Sequence, residues 1–292
     1  RNANYFDYTD LFSHTRQNLG CIYFDNVNVG LIENCYIYKT NICIGIKNEC
    51  SDITVRKNLI GSTNTDEQYH LTGINIFSGR SETAGDSRVG EYAVDGFEIS
   101  DNEVVGGYQP STLPTAPYDL LRGMLIADGL NGNVVRNKVH GLNNAMSAKG
   151  TYGIQVSGYM SAGRRIDVTV ANNWVWDLSS LAYVSGIMPH SHSYARYLNN
   201  TVFMNGNNTT GGDVNAMYIH QDVSNIIVQN NILKVTQQGT RSIGMMCIPT
   251  TNPFADIDYN VYNISTSGTN VIGSFGGDRT TLSDWQAAIS DE

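Results

Sequence analysis

The sequence predicts an all-β solenoid, and two periodic features carry the prediction. Asn34, Asn58, Asn102, Asn137, Asn173, Asn200, Asn231 and Asn260 each close a short strand and precede two or three apolar residues, as in IENCYI, VRNKV, ANNWVW and QNNIL. Upstream of these stand segments with a small residue and alternating apolar letters: CIYF at 21, CIGI at 43, GINI at 73, GMLI at 123, GIQV at 153, GIMP at 186, AMYI at 216 and GMMC at 244. A repeat of roughly two to three dozen residues built from strands rather than helices describes units stacked one on the next.

Alternation places the second and fourth letters of each first strand on one face. Those positions are Ile22/Phe24, Ile44/Ile46, Ile74/Ile76, Met124/Ile126, Ile154/Val156, Ile187/Pro189, Met217/Ile219 and Met245/Cys247, the expected stacked rows of the core. Pro189 removes one ladder donor and predicts a local defect in the sheet. The second strand of each unit alternates as well, as in IDVTVANN at 166 and NIIVQNN at 225. It ends at the Asn, which tolerates the left-handed backbone of a sharp corner. An amide both donates and accepts, so stacked copies can bond from coil to coil as an asparagine ladder.

The repeat runs from about residue 20 to about 273 of the 292, read as one elongated domain with a terminal segment at 274–292. Three insertions interrupt it, at about 78–92, 106–121 and 157–165. In a solenoid such insertions gather on one face, often the binding face. These flank the outer surface of the first sheet around the middle coils.

The formal charge is −9 and charged residues make up 15% of the chain, with 29 Gly. An acidic surface of this kind repels phosphate backbones, so nucleic acid is excluded as a partner. No apolar run is long enough to span a membrane. The five Cys, with no CxxC, read as small buried hydrophobes; a disulfide among Cys21, Cys35, Cys43 and Cys50 stays open.

Short strands three to a coil, an asparagine ladder and stacked apolar rows resemble the right-handed parallel β-helix of the pectate-lyase-like superfamily, here with about eight coils. The tail FADIDYNVYNIS followed by LSDWQAA resembles the terminal coil of secreted bacterial β-helix proteins that act on polysaccharides. The resemblance implies a secreted, periplasmic or cell-surface protein, a polysaccharide partner lying along the outer face of the first sheet, and either a monomer or a trimer. It implies no certain cofactor, with Ca²⁺ as an option. Asn64-Thr65-Asp66 matches the first polygalacturonase motif by letters, but the DD, GHG and RIK motifs are absent, which excludes that family.

On that outer face the alternation places Asn75, Gln155 and Tyr218 in one row, and Ser157, His190 and His220 in the next, with Asp128, His192 and Asp222 nearby. Strands lie about 4.8 Å apart, so two imidazoles on consecutive coils disfavour double protonation. A neutral His beside a groove can abstract the proton α to a uronate carboxylate; a polar pair on a solvated face is the other reading. His190 and His192 alternate along one strand, so a metal site with Asp128 and Asp222 also stays open. Arg80, Arg88, Arg122, Arg164 and Arg165 ride the insertions or their ends and suit carboxylate groups, unless they serve only to solubilise the loops. Tyr118 and Tyr159 share those loops and could stack on sugar rings, or simply pack the loops down.

The expected catalytic set is therefore His190, His220, Arg80, Arg122, Arg165 and Asp128, and the expected substrate-binding set is Asn75, Gln155, Tyr118, Tyr159, Tyr218 and Asp222. The expected function is cleavage of an anionic, uronate polysaccharide by β-elimination. Alternatives are a glycoside hydrolase on the same scaffold, or a non-catalytic carbohydrate-binding, adhesin or phage-tailspike module.

Overall fold

The computed structural model describes residues 20–40, 42–64, 68, 72–77, 93–109, 120–145, 150–158, 164–207, 209 and 211–289, with backbone only at 20, 21 and 109. The chain winds through three long sheets in turn. The first runs from Gly20–Asp25 through Ile42–Lys47, Thr72–Phe77, Leu121–Ala127, Thr151–Ser157, Val184–His190, Val214–Ile219 and Arg241–Cys247 to Thr269–Ser274. The second begins at Asn28–Glu33 and ends at Phe254–Asp258, and the third begins at Tyr36–Ile37 and ends at Val261–Ile264. Within each sheet a strand pairs in parallel with its counterpart one turn later, as in Ile154↔Ile187 and Val139↔Val175. This is a parallel β-helix. The eight first strands read from the sequence all lie in one sheet, which Thr269–Ser274 extends.

The core is a set of columns. Ile44, Ile74, Met124, Ile154, Ile187, Met217 and Met245 follow one another in register and are fully buried. Val139, Val175, Val202 and Leu233 form the facing column on the third sheet. The glycines that open the first-strand motifs sit where these two sheets meet. A Cβ on Gly153 would lie 2.5 Å from both Val175 Cγ1 and the carbonyl oxygen of Gly186. Gly123 and Gly186 stand in equivalent contacts with Val139 and Val202. Close approach of wall and backbone therefore requires the small residue, and strict alternation begins only after it.

The asparagine ladder forms, shifted at its first rung. The side-chain amides of Asn58, Asn102, Asn137, Asn173, Asn200 and Asn231 each donate to the Oδ1 of the next Asn at 2.9–3.1 Å, ending at Asn260. Each Nδ2 also donates to a backbone carbonyl, as Asn137 does to Ile99 at 2.9 Å. Asn34 is not a rung: Cys35 takes that place, its backbone N–H donating to Asn58 Oδ1. The left-handed corner expected at the ladder Asn falls one residue earlier, at Asn34, Lys57, Asp101, Arg136, Asn172, Asn199, Asn230 and Tyr259, with φ of 53–57°. Lys, Arg and Tyr hold that conformation because the bonded ladder behind it fixes the bend.

Pro189 marks the expected defect. Pairing of its strand with Val214–Ile219 is regular to Ile187↔Met217, after which the His220 N–H donates to the Pro189 carbonyl at 2.9 Å. Cys35, Cys43, Cys50 and Cys247 are free thiols; the Cys21 side chain lies outside the described residues. The helix Leu282–Ile289 covers the last coil. Thr281 caps it by accepting the Asp284 N–H on Oγ1 at 3.1 Å. Its Trp285 is buried over Gly273 and donates from Nε1 to Tyr262 Oη at 3.1 Å. Among the described residues no helix is long and apolar enough to cross a membrane.

Candidate functional site

A cleft of about 500 Å³ opens on the outer face of the first sheet, lined by Tyr152, Tyr183, Asp213, Asn215, Tyr218, His220 and Met246 among others. Three rows of outward side chains run along this face, and Tyr152, Asn215, Tyr218, Met246 and His220 of them line the cleft. The first is Arg122, Tyr152, Ser185 and Asn215, each the residue before the corner glycine or its Ala216 equivalent. The second contains Gln155, Met188, Tyr218 and Met246, and the third contains Ser157 and His190, followed by His220 one turn on.

The two imidazoles stack, with ring centroids 4.5 Å apart, and Tyr218 meets His220 edge-on at 5.3 Å. Ser157 Oγ and His190 Nδ1 share a hydrogen bond of 3.0 Å. Burial, and then the neighbouring His220, push His190 down to about 4, against the pull of Asp222. Burial lowers His220 too, again opposed by Asp222. Both rings are therefore neutral at pH 7. Burial pushes the Tyr218 phenol up to about 12, which keeps its proton on oxygen as a donor.

Among the described residues, Ser185 Oγ, Asn215 Oδ1 and His220 Nδ1 are buried at this end of the face with no hydrogen-bond partner. Buried polar groups are ordinarily bonded, so each of these atoms has capacity for a further polar partner. Arg122 lies at the edge of the same rows. It is 9% exposed and donates from Nε to Gln155 Oε1 at 2.7 Å, a neutral partner. Among the described residues no carboxylate pairs with it. Its charge reaches Tyr152 and opposes protonation of His190. The carboxylate in the lining, Asp213, is held by Arg241 at 2.6 Å, which also reaches Asp278 at 2.8 Å.

The structure thus brings together His190, His220 and Tyr218, with Asp222 close enough to act on both rings, while Arg122 and Gln155 pair with each other farther along the same face. Others of the expected set are placed elsewhere. Asp128 is fully buried in a left-handed turn and paired with Arg164 at 3.7 Å, so its carboxylate is not offered to a ligand. Arg165 binds Asp167 through two bonds and packs over the Tyr194 ring, so its guanidinium is already committed. Asn75 is outward, two strands from Gln155, its buried Oδ1 without a hydrogen-bond partner among the described residues. Arg80, Arg88, Tyr118 and Tyr159 lie outside the described residues.

His192 does not share a face with His190. Ser191 has φ of 52°, and this turn sends His192 inward, fully buried against Tyr197 Oη at 2.8 Å. The expected sharing of a face along one strand fails there, and with it the metal reading of the HSH run. Tyr152, Tyr183, Ser185, Asn215 and Asp213 were not singled out from the sequence. The signal for the row Tyr152–Ser185–Asn215 was present: each precedes the small residue that opens a repeat.

No protein-family model and no curated protein matches the chain. Among solved structures it is similar to XylC, determined in complex with xylose, with a TM-score of 0.41 and 13% identity over 78% of this chain and 36% of that one. It is also similar to the A-module of the mannuronan C-5 epimerase AlgE4 from Azotobacter vinelandii, with a TM-score of 0.27 and 15% identity over 90% of this chain and 85% of that one. The chain therefore spans about a third of the length of XylC.

Proposed function

We propose that the protein acts on a polysaccharide lying across the outer face of the first sheet, and that it cleaves a uronate chain by β-elimination. The observation that carries this reading is the stacked pair His190–His220, neutral at pH 7, on the same sheet face as a buried guanidinium that has no carboxylate partner among the described residues.

β-Elimination needs a base for the proton α to the carboxylate and a cation or donor set for the charge that develops on that carboxylate. A neutral imidazole of the pair is the base. Arg122 meets the carboxylate. Tyr218, holding its proton, donates to the departing glycosidic oxygen. Ser185, Asn215 and the Tyr152 and Tyr183 rings orient the sugar. Hydrolysis requires two carboxylates flanking the bond; the described lining contributes Asp213, locked by Arg241, which favours elimination.

The test is incubation with polygalacturonate, alginate and other uronate polymers, followed by ultraviolet absorbance. Elimination leaves a conjugated, absorbing unsaturated end. Wild type gives rising absorbance and His190→Ala does not. New reducing ends without absorbance would replace elimination with hydrolysis. Binding without either product would make the protein a carbohydrate-binding module.

A further inference from the structure

We infer that the outer face of the third sheet is a second saccharide-binding surface, separate from the cleft, that takes an anionic polysaccharide across Trp174, Trp176 and Phe203.

Two outward rows define it. One runs Lys138, Trp174, Thr201, Ile232 and the other His140, Trp176, Phe203, Lys234, in register on successive strands, while the alternate Val139, Val175, Val202 and Leu233 fill the core. Core packing therefore makes no demand on the outward rings. Trp174 is 49% exposed. The rings form one patch: Trp174 and Trp176 have centroids 4.7 Å apart, and His140 stacks on Trp176 at 4.0 Å with 10° between planes. Trp174 is followed on the next strand by Thr201, whose short side chain leaves room for a ring against the indole.

Charge indicates what the surface takes. Glu103 is bonded to His140 at 3.0 Å, so its carboxylate is engaged. Lys138 and Lys234 form no ion pair among the described residues; Lys234 lies over the Phe203 ring at 4.5 Å. The two lysines are borne by strands three spacings, or about 14 Å, apart along the helix axis, with the rings between them. On a chain of net charge −9, this places two lysines that form no ion pair among the described residues beside solvent-facing rings. Pyranose faces stack on indole, and carboxylates along the same chain meet the lysines. A second copy seated by two-fold symmetry over the patch would set lysine against lysine, so the charge pattern favours a polyanion.

The tryptophans supply a specific readout. The chain has three, and the third, Trp285, is buried under the terminal helix, while none lines the cleft. Intrinsic fluorescence therefore reports this face. The probe is polygalacturonate, with dextran as a neutral counterpart. Polygalacturonate is expected to change the emission saturably, less so as salt rises, and dextran to have a weaker effect. Lys138→Ala/Lys234→Ala retains every tryptophan and is expected to need about tenfold more polygalacturonate. Trp174→Ala is expected to lose most of the change, with the melting temperature unaltered and turnover at the cleft at wild-type rate. His190→Ala keeps the fluorescence response whatever becomes of turnover, which separates this inference from the proposed activity. No response in wild type, or a response indifferent to both lysines and salt, overturns it. So does a native mass that falls on Trp174→Ala, which would make the face a contact between copies.

Discussion

His190 and His220 stack at 4.5 Å with 29° between their ring planes, one strand spacing apart on the same face. Burial and this mutual proximity hold His190 in its neutral form down to about pH 4. An unperturbed histidine base would lose activity below about pH 6.5. The acid limb of the pH–rate profile for the free protein is therefore expected near pH 4. Replacing either histidine with Ala should lower kcat/KM by about 10²–10⁴. A limb at the ordinary histidine value would show that the pair is not the base.

Arg122 is a buried cation whose hydrogen-bond partner among the described residues is a neutral amide, an arrangement that costs stability relative to an apolar side chain. Arg122→Met should melt at or above the wild-type temperature while losing about 10² in kcat/KM on a uronate substrate. Thermal melts and steady-state kinetics on the same preparations check both halves. A large loss of stability would mean that the guanidinium serves the fold.

Asn137 accepts from the backbone N–H and the Nδ2 of Asn102, and donates to Ile99 and Asn173. Asn137→Ala strands buried groups on both sides and should cost about 2–4 kcal/mol, since each costs about 1–3 kcal/mol when left unmade. Asn137→Asp removes the donors and should also destabilise. Urea unfolding of both variants measures it.

Acid should weaken the fold through the buried histidines. His190 and His192 sit at about 4 and about 3, below the ordinary 6.5. The unfolded chain thus takes up protons that the folded chain refuses. The stability gained by keeping both rings neutral is complete above pH 6.5 and is lost as pH falls toward those values. Melting temperature should decline from neutrality to about pH 4, and His192→Asn should make the decline shallower.

The fold was legible because its signals repeat. Ile154 and Ile187 announce the core by period-two spacing, and the corner glycines mark each turn of the wall. Single departures were not legible. Ser191 reads as an ordinary strand residue, yet its left-handed backbone buries His192. Cys35 takes a rung that the letters assign to Asn34. Asp128 looks like a surface carboxylate until its partner Arg164, distant in sequence, is in place over it. Within the site, His190, His220 and Tyr218 follow from alternation, but Ser185 and Asn215 precede the small residue, Gly186 or Ala216, at which alternation begins. Their outward direction depends on a corner that only the folded backbone reveals.

The helix Leu282–Ile289, with Trp285 seated over Gly273, has a colloidal consequence. A stack of coils ends in bare strand edges with unmade hydrogen bonds, a template on which another chain can grow. The lid, with the antiparallel Asp278–Arg279 laid along the final strand, withholds that template. Trimming the chain after Ser274 should make it associate end to end, with a rise in native mass as the readout.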